Sequence, residues 1–150
     1  MIKKKFFLIL IIFLSNCGYN PIYLKKIDTE VLINSYQLIG DKNINRSIIS
    51  YLGIKNNDNT NAKYNLKLNS TKLVETVAKD KVGNTSVYKT TIRVELSISE
   101  GNSVIKERTF VSNFIYNNIS NKFDLFQYQK NIDKNLIKNL SEKILIFLTT

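Results

Sequence analysis

Histidine is absent from this 150-residue chain, and cysteine, proline and methionine occur once each. Without histidine there is no His-dependent nucleophilic triad. With one cysteine as well, there is no cluster of His and Cys ligands for a metal. A lone cysteine also has no partner for an intramolecular disulfide. The 12 carboxylates are scattered and none forms an evident acid/base couple, so the chain reads as a non-enzyme that needs no cofactor or metal. Long apolar runs are missing too. The longest, Phe6 to Leu14, has nine residues, far short of the roughly 20 that cross a bilayer as a helix.

What is present begins at the N-terminus. Lys3, Lys4 and Lys5 precede the apolar run, and Leu14-Ser15-Asn16-Cys17-Gly18 follows it. A basic segment, a short apolar segment and a cysteine in that order form a secretory signal. The arrangement resembles the lipobox of bacterial lipoproteins, with Asn16 standing where Gly, Ala or Ser is usual. That resemblance implies cleavage before Cys17, acylation of Cys17, and anchoring of the mature chain by lipid. Gly18 at the next position, in place of an aspartate, implies sorting to the outer membrane. An ordinary cleaved signal, or an odd free thiol, is the alternative.

Removing residues 1–16 leaves one domain's length. The leader takes three lysines and no acid with it, so the formal charge falls from +10 to +7. That excess suits an anionic partner, such as an anionic lipid or a phosphorylated glycolipid. Export argues against nucleic acid. Solubility alone would also account for the charge.

The pattern of the remaining chain gives one α+β domain over 31–150, with 17–30 as a tether around Pro21. Ile33 to Ile39 is a first strand. Asp41 or Asn43 caps a helix with Ile44, Ile48, Tyr51 and Leu52 on one stripe, ended by Gly53. Residues 55–61, KNNDNTN, are a polar loop. Tyr64, Leu66 and Leu68 start a second strand that runs on to Val77, with a bend or bulge expected near Ser70 where the alternation loses phase. Gly83-Asn84 is a turn. Tyr88, Thr90, Ile92, Val94, Leu96 and Ile98 share one face of a third strand. Gly101-Asn102 makes a tight hairpin turn into a fourth strand, Val104 to Tyr116. Asn121 and Asp124 cap a long helix whose stripe is Leu125, Tyr128, Ile132, Leu136, Leu140, Ile144 and Phe147. The order is β-α-β-β-β-α: a two-layer sandwich of a four-stranded, mostly antiparallel sheet with both helices on one face.

A two-residue turn pairs Glu100 with Ser103. Continued without a break, that register sets Ser97 opposite Lys106, Glu95 opposite Arg108, Arg93 opposite Phe110 and Lys89 opposite Phe114. The uncovered sheet face would then carry Lys89, Arg93, Lys106 and Arg108 among aromatic rings. These are the candidate ligand-binding residues: cations for phosphate, rings for acyl or sugar surface. A solvated strand face is the plainer alternative, and a one-residue slip would redistribute every pair. Phe110 and Phe114 are equally candidates for contact with a protein partner.

Cys17-Gly18-Tyr19-Asn20-Pro21-Ile22-Tyr23, the β-α-β-β-β-α order, and the Asn-rich segment from Phe114 to Asn121 before a long last helix together resemble the LPS-assembly lipoprotein LptE family. Members commonly open Cys-Gly-aromatic-x-Pro-Leu-Tyr, from which Ile22 departs. The resemblance implies an outer-membrane lipoprotein, a plug and assembly partner for the β-barrel LptD, and binding of lipopolysaccharide. A free-standing lipoprotein binding an anionic glycolipid or cell-wall polymer is the rival reading.

Overall fold

The computed structural model describes residues 33–55 and 63–150. Cys17, the leader, the tether and nearly all of the polar loop lie outside them.

Six elements follow the expected order: β1 (Ile33–Gly40), α1 (Lys42–Leu52), β2 (Tyr64–Lys79), β3 (Thr85–Glu100), β4 (Ser103–Asn117) and α2 (Lys122–Thr149). The strands lie side by side in chain order. β1 and β2 are parallel, while β2–β3 and β3–β4 are antiparallel. A parallel pair needs a crossover, and α1 supplies it. Both helices pack on one face of the sheet.

Local chemistry sets the ends of each helix. The Asp41 carboxylate accepts from the backbone N–H groups of Asn43 and Ile44, and Gly53 closes α1 at φ 66°. The Asn121 side chain accepts from the N–H groups of Phe123 and Asp124 at the start of α2. Ile44, Ile48, Ile49 and Leu52 are the buried apolar side chains of α1. Tyr51, placed on that stripe by periodicity, is instead exposed, and Ile49 takes the core position.

The core lies between the sheet and the helices. Leu66 and Leu68 of β2, and Ile92, Val94, Leu96 and Ile98 of β3, face Ile132, Leu136, Leu140 and Ile144 of α2. Tyr116 is buried at the far end of β4. Its hydroxyl lies 3.2 Å from Thr90 Oγ1 and accepts from Gln129 Nε2 at 2.9 Å. Its ring contacts those of Tyr88 and Tyr128 at 5.7 and 5.8 Å. Satisfying the buried hydroxyl makes Tyr116 a fixed pin between strand and helix rather than an unsatisfied polar group.

The bulge expected near Ser70 is not there. Pairing to β3 continues through Ser70↔Val94 and Thr71↔Arg93, and the register shifts only at Thr76 to Lys79. The phase of the sequence changes at Ser70 for another reason. β1 stops pairing at Gly40↔Ser70, and from Thr71 onward every residue of β2 is exposed. A strand without cover on either face has no need to alternate.

Candidate functional site: the two faces of the sheet

The last hairpin decides where the candidate residues stand. Glu100 pairs with Ser103 as expected, and Ser99 with Val104. The register then shifts, so that Ile98 pairs with Lys106, Leu96 with Arg108, Val94 with Phe110 and Thr90 with Phe114. Ile105 is the extra residue. One inserted residue moves every later side chain of β4 to the opposite face. The uninterrupted register is therefore corrected: Lys106, Arg108, Phe110 and Phe114 lie on the helix-covered side. Lys89 and Arg93 stay on the uncovered side.

The four cations thus do not converge. Lys89 and Arg93 sit four residues apart on the uncovered face, about 13 Å along the strand. Arg93 Nε lies 3.3 Å from Glu95 Oε1, and Glu95 also accepts from Asn69 Nδ2 at 3.1 Å. Glu75 pairs in register with Lys89. Between the hairpin ends of the uncovered face, Lys67, Lys89 and Arg93 are matched by Glu75, Glu95 and Glu107, and Lys79 adds a cation near the β2–β3 turn. The rest is Asn, Ser, Thr and Gln with exposed Ile39, Leu73, Val104, Val111 and Ile115. A cavity of about 650 Å³ opens here, lined by Lys67, Asn69, Glu95, Ser97, Glu107 and Thr109 together with Ile39, Leu96, Val104 and Arg108. Its chemistry is that of amides and hydroxyls with balanced charge. It offers hydrogen bonds to a hydroxyl-rich surface more readily than a positive field for phosphate.

The other pair does converge. Lys106 and Arg108 are two residues apart on one side of β4. Lys106 Nζ lies 5.1 Å from the centre of the Phe147 ring and donates to the Phe147 carbonyl at 3.4 Å. The Arg108 guanidinium lies 5.5 and 5.6 Å from the ring centres of Phe147 and Phe110. Neither cation forms an ion pair among the described residues. The last turn of α2 has no basic residue of its own. Lys106 thus brings positive charge to a helix C-terminus, where exposed carbonyls favour it.

Phe110 is 6% exposed and packs edge-on to Phe147 at 5.7 Å, so it belongs to the core. Phe114 is 46% exposed. It forms one wall of a groove of about 200 Å³, with Tyr128, Asn131, Ile132, Asn135 and Leu136 of α2 as the other. Sequence reasoning missed this groove and the polar cavity, because both are made by elements distant in the chain. Among the described residues no acidic or Cys cluster could hold a metal, and no helix is long and apolar enough to cross a membrane.

No protein-family model and no curated protein matches this sequence. Solved structures do match in fold. The rare lipoprotein B of Shewanella oneidensis superposes with a TM-score of 0.60 at 15% identity, over 77% of this chain and 94% of that one. A minor lipoprotein from Acinetobacter baumannii gives 0.58 at 14% identity, over 77% and 90%. A lipoprotein from Caulobacter crescentus gives 0.55 at 12%, over 79% and 88%. This chain shares their fold.

Proposed function

We propose that the protein is a lipid-anchored lipoprotein of the Gram-negative outer membrane that acts as an LptE does: it seats in an LptD-type β-barrel, assists its assembly, and helps deliver lipopolysaccharide to the outer leaflet. The observation that carries this reading is the fold likeness to rare lipoprotein B, which is LptE. It spans nearly all of that protein's chain. The opening Cys17-Gly18-Tyr19-Asn20-Pro21-Ile22-Tyr23 agrees with it.

The described domain suits a plug. It has two layers, and its uncovered face mixes amides, hydroxyls and charges of both signs with exposed aliphatic side chains such as Leu73, Val111 and Ile115, a surface able to meet both water and a barrel wall. Lipopolysaccharide carries both phosphates and sugars. Lys106 and Arg108 offer cations for its phosphates, and the cavity that Arg108 lines with Asn69, Ser97 and Thr109 offers hydrogen bonds for its sugars.

Gentle detergent extraction of the tagged full-length protein from its native membrane, followed by mass spectrometry, tests the reading. An LptD-type barrel in stoichiometric amount is expected. A lone acylated monomer would sink the plug and favour the free-standing glycolipid binder, for which the 650 Å³ cavity is the natural site.

A further inference from the structure

Among the described residues, β4 is the last strand of the sheet and is bonded to β3 on one side only. Its outer edge presents a row of backbone N–H and C=O groups without strand partners among those residues. Folded proteins usually blunt such an edge with charge, proline or a bulge. β4 does so only at its beginning, with the Ile105 bulge, Lys106, Glu107 and Arg108. From Thr109 to Asn117 the strand is TFVSNFIYN: uncharged, without proline, rich in β-branched and aromatic residues. Val111, Phe114 and Ile115 in this stretch are all exposed.

The groove lies along this unprotected half. Residues of β4 and α2 alone line it, with none from β3, so it opens at the outer side of the sheet. Its floor is apolar, and the exposed amides of Asn131 and Asn135 stand at its rim with no hydrogen bond among the described residues. An extended chain added beside β4 would pair with the edge and drop alternate side chains towards α2. The first would enter the groove beside Phe114. Six residues along the same face, about 20 Å away, it would meet Arg108, then Lys106.

We propose that the outer edge of β4 and the β4–α2 groove form a strand-addition site for an extended segment of a partner protein. That segment carries an apolar side chain at Phe114 and an acidic one six positions along, opposite Arg108. Backbone pairing gives the affinity, and the alternate side chains give the specificity. Charge complementarity chooses the occupant. Arg108 and Lys106 are two cations without a carboxylate partner, on the face to which the added strand's side chains point. An anionic lipid could meet those cations but could not pair with the nine-residue backbone edge beyond them. The site goes beyond the barrel reading and does not depend on it.

The test uses the mature acylated protein in detergent and three fluorescein-labelled synthetic peptides. The first alternates Thr and Val, with Leu and Asp six residues apart on one face. The second replaces Asp by Lys. The third keeps Asp and carries N-methyl groups along its pairing edge. Anisotropy gives the affinity and hydrogen exchange the protection of amides in 109–117. The acidic peptide is expected to bind and to protect those amides. The Lys peptide is expected to bind roughly tenfold more weakly, because repulsion replaces attraction at Arg108. N-methylation should abolish binding, Arg108→Glu should reverse the charge preference, and Phe114→Ser should weaken both peptides without changing the circular dichroism. Equal binding of the acidic and Lys peptides, undiminished binding of the N-methylated one, or no binding at all overturns the proposal. So does binding of phosphatidylglycerol vesicles that Arg108→Glu abolishes while no peptide binds, which would assign the cations to lipid headgroups.

Discussion

Single residues fix the joints of this molecule. Gly40 ends β1 at φ 81°, and a Cβ there would lie 2.0 Å from the Ser70 carbonyl oxygen. The close approach is used: Asp41 N–H donates to that oxygen at 2.9 Å, and Ser70 Oγ donates to the Asp41 carbonyl at 3.1 Å. Gly40→Ala combines a left-handed backbone with a backbone clash, so it is expected to cost about 3 kcal/mol or more in urea denaturation. Asp80 organises the β2–β3 turn in a different way. The backbone N–H of Asn84 foremost, and that of Val82, hold its carboxyl below the ordinary aspartate range. A depressed carboxyl stabilises the folded turn above the ordinary value and loses that contribution as pH falls through the lowered one. An NMR titration should therefore show Asp80 protonating below the ordinary value, with the Asn84 amide shift following the same curve. An unshifted midpoint would remove the turn's electrostatic support.

Elements were legible wherever cover is uniform. β3 is sandwiched between neighbours and roofed by helices, so its six inward residues alternate without a fault. The caps were legible because they act within a few residues. Asn121→Ala removes the acceptor for two N–H groups at the start of α2 and should cost about 1 kcal/mol in thermal or urea unfolding. Substituting Ser there should keep most of it. β4 was legible as a strand but not in register. A bulge of one residue leaves little mark in a sequence such as SVIKERTF, where apolar and charged residues occur on both phases. In the shifted register Phe110 pairs with Val94 and packs edge-on against Phe147, a contact between elements distant in the chain.

At the scale of the whole molecule, the sheet divides charge between its faces. The basic excess does not sit on the uncovered side, where acids and bases match. It lies on the β4 rim at Lys106 and Arg108, on the hairpin tip at Lys79 and Lys81, and along α2 at Lys130 and Lys134. Anionic ligands are therefore expected at the rim. The proposed lipid anchor belongs to this scale as well. Replacing residues 1–17 by the cleavable leader of a soluble periplasmic protein, fused ahead of Gly18, should move the protein from the membrane fraction to the soluble periplasmic fraction on cell fractionation, since both the apolar leader and the acylated cysteine are then gone. Retention of that leader-exchanged protein in membranes even when the barrel is depleted would show a second anchor.

The sequence by itself determined the order of elements, the helix caps and the inward face of β3. Each of these depends on residues close together in the chain, through periodicity, turn chemistry or a short ordered motif. Tertiary structure alone decided which cations meet. It split Lys89 and Arg93 from Lys106 and Arg108, sent Phe110 to the core and left Phe114 at a groove. The reason is geometric: side-chain direction along a strand alternates with a period of two, so one extra residue at Ile105 reverses the outcome for all that follows.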